Sequence, residues 1–204
     1  MPSRDVPTRI LLIRHGSVGG DGVLHGHVDV PLTAQGRAEA EALARGLAGE
    51  PLAAVYCSDL CRARETAEIL ARRHDGLSVT ADPALRELHM GRWDGRPVRE
   101  LLVEDGERLR KWWADLETFR IPGGESLSDL SARAVPAFDR IVARHPGETV
   151  AVVAHGGTNR VILFRYLGIP LSRFHVLAQD PACLNRIAIY PDGNAVVEAV
   201  NARP

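Results

Sequence analysis

Two apolar runs in this 204-residue chain break off in the same way. Ile10-Leu11-Leu12-Ile13 ends in Arg14-His15-Gly16, and Val152-Val153-Ala154 ends in His155-Gly156-Gly157. A third short run, Ala53–Cys57, leads through Ser58 to Arg62 within about one helical turn. Guanidinium groups offer forked donors to an oxyanion, and a neutral imidazole is either a donor or a nucleophile. Any one of these residues alone fits a plain surface turn after a core strand. Together, at equivalent strand ends, two arginines and two histidines would concentrate positive potential that an anion must balance, and phosphate suits that donor set.

The elements that must bring them together can be read from periodicity. Ile10–Ile13 and Thr149–Ala154 are continuous apolar runs, as expected of strands buried on both faces. If they and Ala53–Cys57 lie parallel, the cations and imidazoles collect at one carboxyl edge, where open α/β sheets bind ligands. Ser17–Val30 is a polar loop with four glycines, long for a strand-to-helix connection. Thr33 is a candidate N-cap for a helix reaching Gly49, and Ser58 for a helix over Asp59–His74. Leu77–Thr80 reads as a weak strand. Helices are expected at Val98–Val103 and Glu107–Phe119, inside an irregular excursion over the sheet edge. Ser126 and Asp129 make a capping-box start for a helix to Arg144, bent or interrupted at Pro136. A helix over Thr158–Leu167 and a hairpin of Asn185–Tyr190 with Ala195–Val200 close the chain. The sum is an α/β fold: a three-layer α/β/α sandwich with a mostly parallel mixed sheet, one domain over residues 1–204.

Composition excludes several classes of function. Lysine and arginine number 25 against 26 acidic residues, so no global field favours nucleic acid or an anionic membrane. Three cysteines, Cys57, Cys61 and Cys183, have neither disulfide-framework nor zinc spacing, and buried reduced thiols are expected. Met1–Arg9 lacks the apolar core of a signal peptide, and no run approaches the length of a membrane span. A soluble cytoplasmic protein follows.

The motifs, taken in order, resemble the histidine phosphatase superfamily in its phosphoglycerate-mutase-like branch. They are Leu12-Ile13-Arg14-His15-Gly16, Gly26-His27-Val28-Asp29-Val30-Pro31-Leu32-Thr33, Ser58-Asp59-Leu60-Cys61-Arg62-Ala63, Leu85-Arg86-Glu87 with Gly91-Arg92-Trp93-Asp94-Gly95, Pro122–Ser126, and Val153-Ala154-His155-Gly156-Gly157. The resemblance implies that His15 is a nucleophile that becomes phosphorylated. It implies that Arg14, Arg62 and His155 hold the transferring group, and that Glu87 gives a proton to the leaving oxygen and later takes one from water. Backbone groups at Gly26 and Gly156 would complete the cradle. The chemistry agrees. Flanking arginines should lower the His15 pKa and keep the ring neutral, a backbone carbonyl should fix its tautomer, and the arginines balance phosphoryl charge with no metal or cofactor. A carboxyl partly enclosed beside phosphate should have a raised pKa and arrive protonated.

The departures from the family pattern bear on substrate. Ser17 stands where the family has Glu or Gln, and it is expected to hydrogen-bond phosphate or a neighbour. Asp21 replaces a frequent asparagine and should point away; Gly157 replaces the mutase asparagine. The segment after Glu87 lacks the adjacent arginines with which mutases grip a carboxylate; Arg96, Arg99, Arg108, Arg110 and Lys111 are scattered. Residues 88–121 are therefore read as a lid that sets specificity. His25 and His27 lie in the first loop and read as plain surface histidines, with lining of the entrance as the alternative; Trp93 is expected to pack for the Glu87 segment and Arg64 to be solvated. Adjacent Trp112 and Trp113 cannot face one way. The leading reading is a phosphatase for a small phosphorylated metabolite, with α-ribazole phosphate or a sugar or glycerate phosphate as candidates and a homodimer as a possible assembly. A phosphoglycerate mutase and a non-catalytic phospho-ligand binder are the alternatives.

Overall fold

Period-two alternation in β1 (Thr8–Arg14) sends Leu11 and Ile13 to one face of the sheet and Ile10 and Leu12 to the other, all of them buried. The computed structural model describes residues 6–203, so the start of the N-terminal stretch lies outside them. Around β1 lie α1 (Ala34–Gly46), β2 (Leu52–Cys57), α2 (Cys61–Ala71), β3 (Val79–Ala81), α3 (Val98–Glu104), α4 (Gly106–Ala114), α5 (Leu127–Arg144), β4 (Thr149–Ala154), α6 (Gly156–Leu167), β5 (Leu184–Ile189) and β6 (Ala195–Ala202). The strand order is β3-β2-β4-β1-β5-β6. From β3 to β1 every pairing is parallel, and β5 and β6 join antiparallel. The expected mixed sheet between helical layers is the observed one.

Three hydrophobic clusters follow from this layering. One packs α1 and α2 on the Leu11/Ile13 face, and a second packs α5 and α6 on the Ile10/Leu12 face. The third belongs to the excursion, where Trp93, Leu101, Leu109 and Trp112 pack on Leu127, Leu130 and Ala134 of α5. Trp93 meets Trp112 edge to face, lies parallel to Phe119 and donates its indole N–H to Asp105, while Trp113 faces out. Arg64 is exposed, as expected.

Local chemistry shifted several element ends. Thr33 caps α1 and Ser126 with Asp129 forms the capping box of α5 as read. Ser58 does not cap α2: its hydroxyl accepts the Leu60 N–H at 3.3 Å, and the helix opens at Cys61, whose N–H goes to Asp29 Oδ1 at 2.7 Å. The edge strand lies at Val79–Ala81, further on than expected. The second excursion helix stops at Ala114 because the Asp115 carboxylate takes the Thr118 N–H and turns the chain. Pro136 interrupts nothing; α5 runs through it. α6 starts at Gly156, two residues before the expected Thr158, which places both glycines in its first turn.

Candidate active site

Register brings the two histidines together. Arg14 of β1 pairs with Ala154 of β4, so the next residue on each strand, His15 and His155, emerges at the same carboxyl edge. The His15 N–H extends the ladder to the Ala154 carbonyl at 3.1 Å. The rings meet edge to face with centroids 5.1 Å apart. His15 Nδ1 donates to the Gly16 carbonyl at 2.7 Å, which fixes the tautomer and leaves the lone pair on Nε2.

Arg62, in the first turn of α2, is 1% exposed. Its Nη1 donates to the Val28 carbonyl at 3.0 Å and its Nη2 to the Gly26 carbonyl at 2.7 Å. Arg14 donates through Nη1 to the Gln179 carbonyl. Four buried nitrogens on three of these side chains have no partner among the described residues: Arg14 Nε, Arg62 Nε, and both ring nitrogens of His155. Buried unpaired polar groups cost roughly 1–3 kcal/mol each, and on a neutral His155 three of these four nitrogens are donors, so the cluster is a site built to be completed by an acceptor. The first turn of α6 adds its N-terminal dipole.

The electrostatics keep the imidazoles neutral. His15 titrates well below the ordinary histidine range, first because it is buried and then because of Arg14 and Arg62; its bond to the Gly16 carbonyl pulls the other way. Burial, rather than the flanking arginines, is thus the larger cause. His155 is lowered likewise by burial, then by Arg62, His15 and Arg14. The thiols are held protonated: burial pushes Cys57 up to about 12 and Cys61 and Cys183 to about 11.

Glu87 reaches the same edge from the excursion. Its Oε2 accepts the Gly157 N–H at 2.9 Å and its Oε1 the Leu88 N–H at 2.8 Å, which sets the carboxylate over the start of α6. A Cβ at residue 157 would overlap Glu87 Oε1, so the glycine is what admits the carboxylate there. Arg133 of α5 holds the segment from beneath. It donates to the carbonyls of Ala84, Arg86 and Glu87 and pairs with Glu125. His27 Nε2 also donates to the Glu87 carbonyl, at 2.9 Å, and its ring lies on His89. His27 therefore braces Glu87 instead of standing at the entrance, whereas His25 bonds the Gly19 carbonyl within its own loop.

Two expected phosphate contacts are differently employed. Ser17 gives both its backbone N–H and its hydroxyl to Glu39 at 2.8 Å, so neither is directed at an anion. Gly26 donates its N–H to Asp94 and its carbonyl receives Arg62; it orients the arginine rather than forming the cradle. Its lack of a side chain matters, because a Cβ would stand 2.5 Å from the Leu88 carbonyl oxygen. Gly156 does lie against the arginines, its Cβ direction 3.5 Å from Arg14 Nε and from an Arg160 Nη1. Asp21 is exposed and lines the same cleft as Arg14, His15 and His25.

Sequence reasoning missed Asp94, Arg133, Gln179 and Arg160 as contributors. Two carried a signal: Asp94 stands in the Gly91–Gly95 motif, and Arg160 lies four residues after Gly156 and so on the same helical face; Arg160 is anchored to the Leu177 carbonyl and lies over Phe174. Among the described residues no group of three or more His, Cys, Asp or Glu is arranged to hold a metal ion, and no helix is long and apolar enough to cross a membrane.

The profile of the histidine phosphatase superfamily (branch 1) matches residues 10–202, from β1 to the end of β6. The chain belongs to the histidine phosphatase superfamily. Within the superfamily it is 38% identical over 168 residues to phosphoglycerate mutase-like protein 4 of Arabidopsis thaliana, covering 80% of this chain and 73% of that one. It is 32% identical over 183 residues to the adenosylcobalamin/alpha-ribazole phosphatase of Escherichia coli K12, covering 89% and 90%. The crystal structure of the alpha-ribazole phosphatase from Shigella flexneri superposes with a TM-score of 0.87 at 31% identity, over 96% of this chain and 97% of that one. Superfamily relatives thus include both phosphatases and mutase-like proteins.

Proposed function

We propose that this protein is a cytoplasmic, metal-independent phosphomonoesterase that works through a phosphohistidine on His15. The observation that carries the reading is the fixed tautomer of His15: Nδ1–H is committed to Gly16, so Nε2 offers a lone pair beside three side chains with unspent donors. Nε2 attacks phosphorus and the ester P–O bond breaks, with the leaving oxygen taking a proton from Glu87. Arg14 and Arg62 balance the charge on the equatorial oxygens, and His155 donates a hydrogen bond to the group they hold. Water then attacks the phosphohistidine, Glu87 takes its proton, the N–P bond breaks and inorganic phosphate leaves. Each Glu87 oxygen accepts a single backbone N–H, so a lone pair remains on each for the proton in transit.

The substrate is a small phosphorylated metabolite, with α-ribazole phosphate or a sugar or glycerate phosphate as candidates; relatives carrying the α-ribazole phosphatase name support the first. Mutase-named relatives favour the second reading, phosphoryl transfer between positions of a glycerate. Against it, three of the scattered basic residues of the excursion are engaged with acids near them: Arg96 with Glu100 and Glu104, Arg108 with Asp105, Lys111 with Glu107. No two arginines are adjacent in residues 88–121 to grip a substrate carboxylate as a pair. The test is phosphate release from p-nitrophenyl phosphate and a panel of metabolites with chelator present. Undiminished release supports a phosphatase. Isomerisation of 3-phosphoglycerate without net phosphate release supports the mutase, and vanadate binding without turnover supports a binder.

A further inference from the structure

Asp94 touches neither histidine, yet its contacts lead directly to Arg62. It follows the Gly91–Trp93 turn, and its carboxylate accepts three successive backbone N–H groups. Gly26 donates to Oδ1 at 2.7 Å, and His27 and Val28 donate to Oδ2 at 2.6 and 3.0 Å. The Gly26–His27 peptide unit is therefore held from both sides: its N–H goes to Asp94, and its carbonyl receives Arg62 Nη2 at 2.7 Å. Two residues on, the Val28 carbonyl receives Nη1. A single peptide unit lies between the anion and the cation.

We propose that Asp94 is the positioning residue for Arg62, holding the guanidinium through the Gly26–His27 peptide so that its Nε–H stays unspent for the phosphoryl group. The inference rests on the phosphatase reading above. A buried guanidinium needs compensation, but a carboxylate bonded directly to it would occupy the donors that phosphate requires. Placing the carboxylate one peptide away avoids the conflict. It polarises the amide and so strengthens the Gly26 carbonyl as an acceptor, while Nε remains without a partner. Asp94 is also among the groups whose charge favours the protonated arginine.

The experiment is a double-mutant cycle read by calorimetric titration with inorganic phosphate. Asp94→Asn keeps the size but turns an acceptor into a donor facing His27 and Val28. It should weaken phosphate about tenfold to thirtyfold, with kcat/KM on p-nitrophenyl phosphate falling in step. Asp94→Glu, which keeps the charge, should recover part of both. In an Arg62→Lys background, where the side chain cannot span both carbonyls, Asp94→Asn should cost less than about threefold more. Equal losses in the two backgrounds, or phosphate affinity unchanged by Asp94→Asn, overturn the role. If Arg62→Lys fails to fold, proton exchange at Arg62 Nε–H in the phosphate-free protein decides instead. Faster exchange in Asp94→Asn supports the hold, and an unchanged rate removes it. A wild-type protein that neither binds nor releases phosphate would overturn the functional reading, while the exchange rate would still report on Asp94 and Arg62.

Discussion

The imidazoles of His15 and His155 stand 5.1 Å apart with their planes at 63°, although 140 residues separate them in the chain. The cause is the parallel register of β1 with β4, which ends both strands at one level and sets the following residues side by side. Two buried rings near two guanidinium groups repel any added proton, so the pair is stable only when neutral or when an anion is present.

His15→Ala should remove turnover by about four orders of magnitude or more while leaving the fold intact, since among the described residues the ring hydrogen-bonds only its neighbour's carbonyl. Acid-quenched wild-type protein should carry an acid-labile phosphoryl group that the variant lacks. Label retained in the variant would mean another nucleophile.

Stability should fall as pH drops below about 6.5. Unfolded histidines titrate near that value, whereas His15 and His155 titrate lower when folded. In the window between the two values the unfolded chain binds protons that the fold refuses. The stability present above about 6.5 is therefore lost as pH falls toward the folded values. His27 and His74 are lowered too and act in the same direction. The melting midpoint at about pH 5.5 should lie below that at about pH 7.5, and phosphate should narrow the gap by supplying opposite charge. A midpoint flat across that range would contradict the buried, neutral pair.

Glu87→Gln should slow alkyl phosphates by about 10²–10³ and p-nitrophenyl phosphate by less than tenfold, because only a poor leaving group needs the proton. Comparing kcat/KM on the two ester classes reads this directly. Equal losses on both would take the acid role from Glu87.

Gly157→Ala tests the placement of the same carboxylate without altering its chemistry. The new methyl group would overlap Glu87 Oε1 and push it from the start of α6, breaking the bond to the 157 N–H. Turnover of alkyl esters should fall about tenfold or more, with phosphate affinity changing little. A substrate pattern unlike that of Glu87→Gln would show that the carboxylate can act from elsewhere.

The strands, the capping of α1 by Thr33 and the capping box at Ser126 were legible because their causes are local: apolar runs, period-two alternation, and side chains bonding amides two or three residues away. The concentration of Arg14, His15, Arg62 and His155 at one sheet edge could also be read, since it needs only that the strands be parallel. What surrounds those residues could not. Ser17 turns to Glu39, Asp94 grips residues 26–28, and Arg133 reaches under Glu87. These contacts span some twenty to seventy positions and involve side chains whose types fit a solvated loop equally well. The amino-acid order by itself determined which chemistry could occur and on which strand ends. The tertiary structure alone decided which donors remain unspent, because that depends on acceptors brought in from distant segments as the excursion packs onto α5.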